Sequence, residues 1–355
     1  MKKKKIAIFH NLPGGGAKRV FNKLNLYLSK DFKIKEFTIK STPNSNFFSY
    51  LFFTIATIPK IHRKIASTIN NADFNFVIIH HDLYTKSPYI LRCLKLKTIY
   101  ICHEEPREFY SDKRYFSTSL KLKLVNLLRH PLKFIDLLNV KYATIAVANS
   151  KFSQKKLSEI YKRNFEIIRL GVDVNKFKPN KKQRKKYYLT IGAMSKFKGI
   201  DFLIDSLSKL PKEKQYPLVV VGDKGRDYKN LVNQAKVKNI KIILKNKISE
   251  NELIKTYQES QLTLAAGINE PFGLFLLESI SCGTPIVAVN EGGYSEIIQN
   301  PNLGILSPRN VHKFSENIIK QLDKRVDKKK MYQFVQDNWT WKQSYNDLKQ
   351  IVKKL

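Results

Sequence analysis

Short, largely apolar runs alternate with segments of helical periodicity along most of the chain. The runs are residues 6–9, 76–79, 99–102 and 145–148 in the first half, and 188–191, 218–221, 241–244, 262–265 and 286–289 in the second. A short apolar run between two helical segments predicts a strand that is buried on both faces. The pattern therefore predicts the α/β class, with parallel sheets that helices cover on both sides.

A length of 355 residues is sufficient for two domains, each with its own core. Residues 178–186 contain a proline and a dense run of cations, which is typical of a solvated linker. We therefore predict one domain over residues 1–178 and a second over residues 179–334. Residues 335–355 are predicted to form a C-terminal helix.

The most specific segment, residues 269–289, reads NEPFGLFLLESISCGTPIVAV. Gly273 precedes a predicted helix, Gly283 ends it, and an apolar strand follows. The unpaired N–H groups of the helix N-terminus suit a phosphate, and Gly273 has no side chain to keep an oxyanion away from them. Glu278 lies roughly 7–8 Å further along the helix axis, about the distance from a diphosphate to the ribose hydroxyls of its nucleoside. Glu270 precedes the helix, where a transferred group would lie.

Two solvated glutamates beside an ordinary amphipathic helix are the structural alternative. In its context, however, the pair resembles the Glu-x7-Glu motif of family 4 retaining glycosyltransferases, also called glycosyl transferases group 1. The resemblance covers nearly the whole chain and is most specific at residues 262–298. It implies a GT-B fold, with two Rossmann-like, doubly wound domains facing across a cleft.

The same resemblance implies the reaction. A hexose would move from a GDP- or UDP-sugar to a glycan or lipid-linked acceptor with retention, as in mannosyltransferase-like members of polysaccharide or lipid-linked glycan synthesis. The N-terminal domain, which the resemblance implies is completed by the C-terminal helix at residues 335–355, would bind the acceptor, and the C-terminal domain would bind the donor.

Donor-binding roles follow from the resemblance residue by residue. Glu278 is implied to hold the ribose hydroxyls, and Gly273 and Leu274 to present N–H groups to the phosphates. Lys198 is implied to neutralise those phosphates. Glu270 is implied to be catalytic, beside the anomeric carbon of the sugar.

Two further features concern the diphosphate. The loop that contains Gly15 and Gly16 lies between a predicted strand and helix, and its counterpart in the family faces the diphosphate; a plain tight turn is the alternative. The family's usual arginine position holds Ala193, so Lys196 or Lys18 is expected to assist, or the diphosphate is held less tightly.

Histidines follow two predicted strands of the first domain, at the sheet edge where open α/β folds bind ligands. Neighbouring strand residues point to opposite faces, so only one of His80 and His81 is expected to face the cleft. Residues 102–107 are similar to a His-Glu-Pro-Pro-Arg-type segment of the family, with Glu105 in place of the first proline. The resulting candidates are His103 as a catalytic residue, and His81, Glu104 and Arg107 as acceptor-binding residues.

The net charge of +36 favours a polyanionic partner, although a lysine-rich composition could also account for it. No RNA-stacking motif is present, which disfavours nucleic acid and leaves an anionic membrane surface as the predicted partner. Residues 47–58 are apolar and aromatic and precede Lys60 and Arg63. They could lie at a membrane interface, although we favour a place in the domain core.

Three cysteines form neither a disulfide framework nor a metal-binding spacing, which predicts a reducing cytoplasm. Together with the predicted membrane partner, this predicts a protein that is peripheral on the inner face of the membrane. No cofactor or metal is expected, because a helix N-terminus and a lysine can supply the charge that a diphosphate needs. Three alternatives stay open: a nucleotide-sugar epimerase of GT-B fold, a non-catalytic GT-B partner subunit, and a basic nucleic-acid-binding protein. Ala193, in place of the usual arginine, is the feature that supports the partner subunit.

Overall fold

The structure is a computed structural model that describes residues 3–12, 14–42, 47–110, 130–181 and 183–355. The chain divides into two compact units. Unit 1 comprises residues 1–169 and 344–355, and unit 2 comprises residues 170–343. Each unit contains one six-stranded sheet in which all neighbouring strands are parallel.

The sheet of unit 1 has the strand order β2-β1-β3-β4-β5-β6. Its strands are β1 (Lys5–Asn11), β2 (Lys33–Phe37), β3 (Phe76–Asp82), β4 (Thr98–Ile101), β5 (Ile145–Ala148) and β6 (Glu166–Ile167). The described helices are α1 (Gly16–Asp31), α2 (Phe47–Phe52), α3 (Ile58–Asn70), α4 (Arg107–Tyr110), α5 (His130–Lys141) and α6 (Lys151–Tyr161). A π-helical turn, Phe53–Thr57, joins α2 to α3, and a 3-10 turn, Tyr89–Arg92, precedes β4.

The sheet of unit 2 has the order β12-β11-β10-β7-β8-β9. Its strands are β7 (Tyr188–Ile191), β8 (Leu218–Val221), β9 (Ile242–Lys245), β10 (Leu262–Ala265), β11 (Ile286–Val289) and β12 (Gly304–Ser307). Its helices are α7 (Ile200–Leu207), α8 (Tyr228–Val237), α9 (Glu250–Glu259), α10 (Leu274–Ser281), α11 (Tyr294–Ile297), α12 (Val311–Leu322) and α13 (Lys328–Asn338). The last helix, α14 (Trp341–Val352), begins in unit 2 and continues in unit 1.

The strands explain the hydrophobic pattern of the sequence. All residues of β3, β4, β8, β10 and β11 are buried, because a central parallel strand has a helix layer on each face. In each sheet the strands are added first on one side of the initial strand and then on its other side. The point of reversal lies between β1 and β3 in unit 1 and between β7 and β10 in unit 2. The predicted α/β class with two Rossmann-like parallel sheets is confirmed.

Two predicted boundaries differ from the observed ones. The division between the units falls after Arg169, not after residue 178. Residues that follow the division are held within unit 2: the N–H of Val172 donates to Trp339 O at 2.8 Å, and the side chain of Gln258 donates to Lys178 O at 2.7 Å.

The predicted C-terminal helix is interrupted at Trp339 and Thr340, between α13 and α14. Thr340 pairs with Val172 as a parallel bridge, so the backbone at this point serves a tertiary contact and cannot continue the helix. The division of the chain then falls within α14, whose residues from Ser344 onward belong to unit 1.

Parts of two predicted segments lie outside the described residues. Pro13 in the glycine loop and Lys182 in the predicted linker are outside. Residues 111–129, which precede α5, also lie outside the described residues.

Candidate active site

Helix α10 begins at the carboxyl-terminal edge of the unit 2 sheet, directly after β10. Its N-cap is Gly273, with φ +92°, a conformation that glycine tolerates far better than other residues. A Cβ at this position would lie 2.7 Å from the ring of Tyr294 on α11. Backbone conformation and packing therefore both require glycine here, independently of any ligand.

Glu270 lies in the loop between β10 and α10 and forms a two-pronged ion pair with Lys198. The ammonium Nζ of Lys198 lies 3.0 Å from Oε1 and 2.8 Å from Oε2 of Glu270. The two side chains are 31% and 14% exposed, so the pair is accessible but not fully solvated. The aliphatic part of Lys198 packs over Gly192, where a Cβ would lie 3.0 Å from its Cγ. The structure thus joins two predicted site residues directly.

Glu278 lies one turn into α10 and is 1% exposed. Its Oε2 accepts a hydrogen bond of 2.8 Å from the hydroxyl of Tyr257, a fully buried residue of α9. Burying a carboxylate is costly unless hydrogen-bond donors contact it, so this hydroxyl contributes to holding the side chain of Glu278 in place. Sequence analysis missed Tyr257, because helical periodicity marks it only as a core residue.

A second ion pair holds three loops of the same sheet edge together. Arg309, just after β12, donates from Nε and Nη2 to the two carboxylate oxygens of Glu291 at 2.7 Å each. Nη2 also donates to the carbonyls of Ala266 at 3.0 Å and Gly267 at 3.3 Å. Such forked pairs are strong and directional. Arg309 therefore ties the loop after β11 to the loop that carries Glu270.

The backbone of Glu270 is fixed from the same side. The N–H of Gly293 donates to Glu270 O at 2.9 Å, and a Cβ on Gly292 would lie 2.4 Å from that oxygen. The paired glycines were predicted to form a loop at this edge, but Arg309 was not identified. A cation directly after an apolar strand is the sequence signal that could have found it.

Lys196 and Lys18 are the two cations that were expected to compensate for Ala193. Lys196 is exposed, and its backbone N–H donates to Oδ2 of Asp227 at 2.9 Å. Lys18 lies in unit 1, with its Nζ 3.3 Å from Nε2 of His10 and 4.4 Å above the ring of Phe21. Burial lowers the pKa of Lys18 below its ordinary value.

The glycine loop of unit 1 is open. Gly15 has φ +107°, and no atom lies within 4 Å of a Cβ built on Gly15 or on Gly16. Backbone conformation alone requires glycine at position 15, whereas nothing in the described surroundings requires it at position 16.

The predicted acceptor-side histidines cluster at the edge of the unit 1 sheet. Nδ1 of His80 lies 3.1 Å from Nε2 of His103, and the two rings stack at 5.4 Å. The ring of His81 lies 5.8 Å from that of His103. Thus His80, rather than the chosen His81, is hydrogen-bonded to His103, and all three rings are buried.

Burial keeps these imidazoles neutral. It lowers the pKa of His103 to about 4 and holds the pKa of His80 and of His81 well below their ordinary values. At neutral pH the cluster therefore offers hydrogen-bonding nitrogens and no charge.

Glu104 and Arg107 form an ion pair at the same edge, with Arg107 Nε 3.3 Å from Glu104 Oε2. Lys86 Nζ approaches the other carboxylate oxygen, also at 3.3 Å. Glu105, which replaces the family's proline, is 4% exposed and forms an ion pair with Lys156. The side chain of Glu105 is thus buried and held by an ion pair.

Within the described ranges, no group of three or more His, Cys, Asp or Glu residues could hold a metal ion. In the same part of the chain, no helix combines the length and the apolarity that a membrane crossing requires.

The chain is similar to known glycosyl transferases in part of its sequence and to solved structures in its fold. Residues 172–337 match the family model described as Glycosyl transferases group 1. Two solved structures have the same fold: sucrose-phosphate synthase from Thermosynechococcus elongatus (TM-score 0.78, 16% identity, 99% of each chain) and Anabaena HepE in complex with UDP and glucose (TM-score 0.72, 17% identity, 99% of this chain and 100% of that one). The predicted GT-B fold class is confirmed.

Among curated sequences, an uncharacterized glycosyltransferase of Methanocaldococcus jannaschii is 32% identical over 129 residues, which are 36% of this chain and 33% of that protein. The chain spans from about a third to about half of the length of the first curated relatives that it matches. The family-model match, residues 172–337, lies within unit 2, which contains Glu270 and Glu278.

Proposed function

We propose that this protein is a glycosyltransferase that moves a hexose from a nucleoside diphosphate sugar to a glycan or lipid-linked acceptor, with retention of anomeric configuration. UDP is the favoured nucleotide, because Anabaena HepE was solved with UDP and glucose. A GDP-sugar is the second choice. Unit 2 would bind the donor and unit 1 the acceptor.

One observation carries the proposal: Glu270 and Glu278 flank the first turn of α10, and Lys198 meets Glu270 there. The start of α10 provides N–H groups from Gly273 and Leu274 for the diphosphate. Lys198 provides a positive charge beside them. This combination of a helix N-terminus, a cation and two carboxylates suits a ligand with an anionic centre and hydroxyl-bearing ends.

In the proposed reaction the bond from the anomeric carbon to the diphosphate oxygen breaks, and a bond to an acceptor hydroxyl oxygen forms. The hydroxyl proton leaves with the diphosphate. Negative charge grows on the departing oxygen, where Lys198 and the helix N-terminus would stabilise it. Glu270 would hold Lys198 in place and stabilise the positive charge that grows on the sugar.

The proposed role of Glu278 in binding the ribose depends on how its buried carboxylate is reached. Oε2 is held by Tyr257, so the ribose hydroxyls must reach the remaining acceptor capacity of a residue that is 1% exposed. We propose that Tyr257 orients the carboxylate for this contact. No metal or cofactor is proposed.

On the acceptor side, we propose that His103 contacts the sugar or the acceptor, with His81, Glu104 and Arg107 around it. A neutral imidazole can donate or accept a proton, which suits the hydroxyls of a glycan. Gly15 and Gly16 would face the diphosphate. We also propose that the protein acts at the cytoplasmic face of an anionic membrane, because its net charge is +36.

A non-catalytic GT-B subunit is the second candidate. Ala193 stands where the family usually has a cation, and the charge of Lys198 is already balanced by Glu270. Such a subunit would bind a nucleotide sugar weakly and release no nucleotide.

The test is a panel of UDP- and GDP-sugars. Binding raises the melting temperature of the native state, so a thermal shift identifies the donor, and release of UDP or GDP then reports turnover. We expect one nucleotide class to shift the melting temperature and to be consumed when glycan acceptors are added. Binding without nucleotide release would favour the non-catalytic subunit, and no binding by any nucleotide sugar would contradict the proposal.

A further inference from the structure

Unit 1 contains a cavity of about 540 Å³ that plays no part in the proposed transfer reaction. It lies where the start of α3 meets the 3-10 turn Tyr89–Arg92. Its lining combines cations with an apolar wall and contains no Asp or Glu: Ile55, Ala56, Pro59, Lys60, Arg63, Tyr89, Arg92 and Cys93.

The three cations of this cavity lack carboxylate partners. Lys60, Arg63 and Arg92 are exposed, and among the residues that the structure describes none of them forms an ion pair. Many other cations of the chain do, such as Lys86 with Glu104. Like charges that converge without a counter-ion raise one another's energy, and an anion in the cavity would remove that cost.

Apolar side chains stand exposed beside the cations. Phe52 is 70% exposed and Ile55 is 42% exposed, one helical turn apart on the continuous run of α2 and the π-helical turn. The opposite face of the run is buried, with Phe53 at 7% and Ile58 at 0%. Arg92 extends the rim, with its guanidinium 6.0 Å from the centre of the Tyr142 ring, which is 54% exposed.

We propose that this surface, defined by Phe52, Ile55, Lys60, Arg63 and Arg92, docks on an anionic lipid bilayer and takes a lipid phosphate group into the cavity. Exposed aromatic and aliphatic side chains next to lysine and arginine are the features of an interfacial membrane contact. A free polyanion would be attracted by the cations alone and would gain little from Phe52 and Ile55. This inference rests on the anionic membrane partner of the proposed function. The contact is assigned to one defined surface and not to a diffuse attraction by the net charge.

The sequence had favoured a core position for residues 47–58. The structure divides the segment instead: Phe53 and Ile58 pack inward, while Phe52 and Ile55 point to solvent. The π-helical turn Phe53–Thr57 begins with the buried Phe53, contains the exposed Ile55 and is followed directly by the buried Ile58.

The experiment is flotation of the full chain with vesicles of phosphatidylcholine, or of phosphatidylcholine with phosphatidylglycerol. We expect binding to the anionic vesicles only. The pair Arg63→Gln with Arg92→Gln should lower the partition coefficient about 30-fold, since each basic residue at an anionic surface contributes about fivefold. The pair Phe52→Ser with Ile55→Ser should lower it as well, including at high salt, where electrostatic attraction is screened.

The matched control removes the same two charges elsewhere, by Lys236→Gln with Lys255→Gln on α8 and α9, both of which are exposed. It should retain nearly all of the binding. Equal losses in the control and in the Arg63 and Arg92 variant would show that net charge alone drives association and would overturn the proposal. Circular dichroism of each variant excludes unfolding as the cause of any loss.

Two further arms separate the sources of phosphate. Soluble glycerol phosphate, titrated without lipid, should bind weakly; tight binding that Phe52→Ser with Ile55→Ser leaves intact would identify a free-phosphate site and overturn the lipid assignment. A single-stranded RNA that competes with vesicles and depends on Arg63 and Arg92, but not on Phe52 and Ile55, would do the same. Flotation uses no nucleotide sugar, so failure of the proposed transfer reaction would leave its result unaffected.

Discussion

The two sheet edges of this protein present different chemistry on similar scaffolds. The edge of unit 2 is built from charges that are paired with one another, Lys198 with Glu270 and Arg309 with Glu291. The edge of unit 1 has ion pairs as well, such as Glu104 with Arg107, but it differs in carrying a cluster of buried neutral imidazoles, with His80 hydrogen-bonded to His103. A charged side chain can exchange its ion-pair partner for a charged ligand, whereas a buried neutral ring can only exchange hydrogen bonds. The difference supports a diphosphate at unit 2 and a hydroxyl-rich molecule at unit 1.

The largest expected effect comes from breaking the charge pairing of unit 2. Glu270→Gln keeps the size of the side chain but removes the charge that holds Lys198, so we expect kcat to fall by about 100-fold or more. Initial rates at saturating donor measure this, and circular dichroism checks the fold. The control is Glu316→Gln, an exposed residue of α12 that pairs with Lys313. Turnover near that of the unmodified protein would remove Glu270 from the mechanism.

The next largest effect concerns the neutral cluster of unit 1. The pKa of His103 is about 4 in the folded protein and 6.5 ordinarily, so the unfolded chain takes up a proton first as the pH falls. Stability from His103 is fully present above pH 6.5 and is lost between pH 6.5 and about 4, on the order of 3 kcal/mol in total. His80 and His81, whose pKa values are also lowered, act in the same direction.

Asp136 opposes this trend, because burial raises its pKa to about 6, and the stability that its protonated form contributes is lost as the pH rises from 3.8 to about 6. Thermal melts between pH 4 and pH 8 measure the sum. We expect His103→Gln to flatten the acid side of the profile and His312→Gln, an exposed residue of α12, to leave it unchanged. Identical profiles for both variants would contradict a buried neutral His103.

A smaller effect separates the glycines of the two edges. Gly273→Ala meets both φ +92° and the Tyr294 ring at 2.7 Å, so we expect the free energy of unfolding to fall by about 2 kcal/mol. Gly16→Ala meets no atom within 4 Å, and we expect no loss of stability. Chemical denaturation measures both. If Gly16→Ala nevertheless weakens donor binding, the openness of that loop serves a ligand.

The smallest effect tests the support of Glu278. Tyr257→Phe removes only the hydroxyl that donates to Oε2, and a hydrogen bond to a charged group contributes about 1.5 kcal/mol, so donor KM should rise about tenfold. Tyr332→Phe removes a hydroxyl that donates to Val174 O in the same unit and serves as control. An equal change in both variants would mean that Tyr257 supports the fold and not the site.

Much of the fold could be predicted from the sequence, because parallel strands buried on both faces leave an apolar run such as Leu218–Val221 that little else produces. Boundaries were less predictable where a tertiary contact decides them. The break at Trp339 and Thr340 depends on Val172, which is distant in sequence. Likewise, β3 continues through His80, His81 and Asp82, which the apolar pattern did not mark as strand residues.

The residues of the candidate site likewise divide into those that the sequence predicts and those that it does not. Glu270, Gly273 and Glu278 could be predicted to lie together because they belong to one segment whose spacing has a chemical meaning. Arg309 and Tyr257 could not, because their importance arises from partners that other elements of the fold bring to them. Periodicity classifies such residues as solvated or core, and only the tertiary structure gives them a partner.

The central claim is that unit 2 grips a nucleoside diphosphate sugar at the start of α10. Calorimetric titration of the donor identified by the panel tests it most directly, with the unmodified chain, Glu278→Gln and Lys198→Met. We expect both variants to lose at least tenfold in donor affinity, whereas His103→Gln, in unit 1, should retain it. Unchanged donor affinity in folded Glu278→Gln and Lys198→Met proteins would contradict the account.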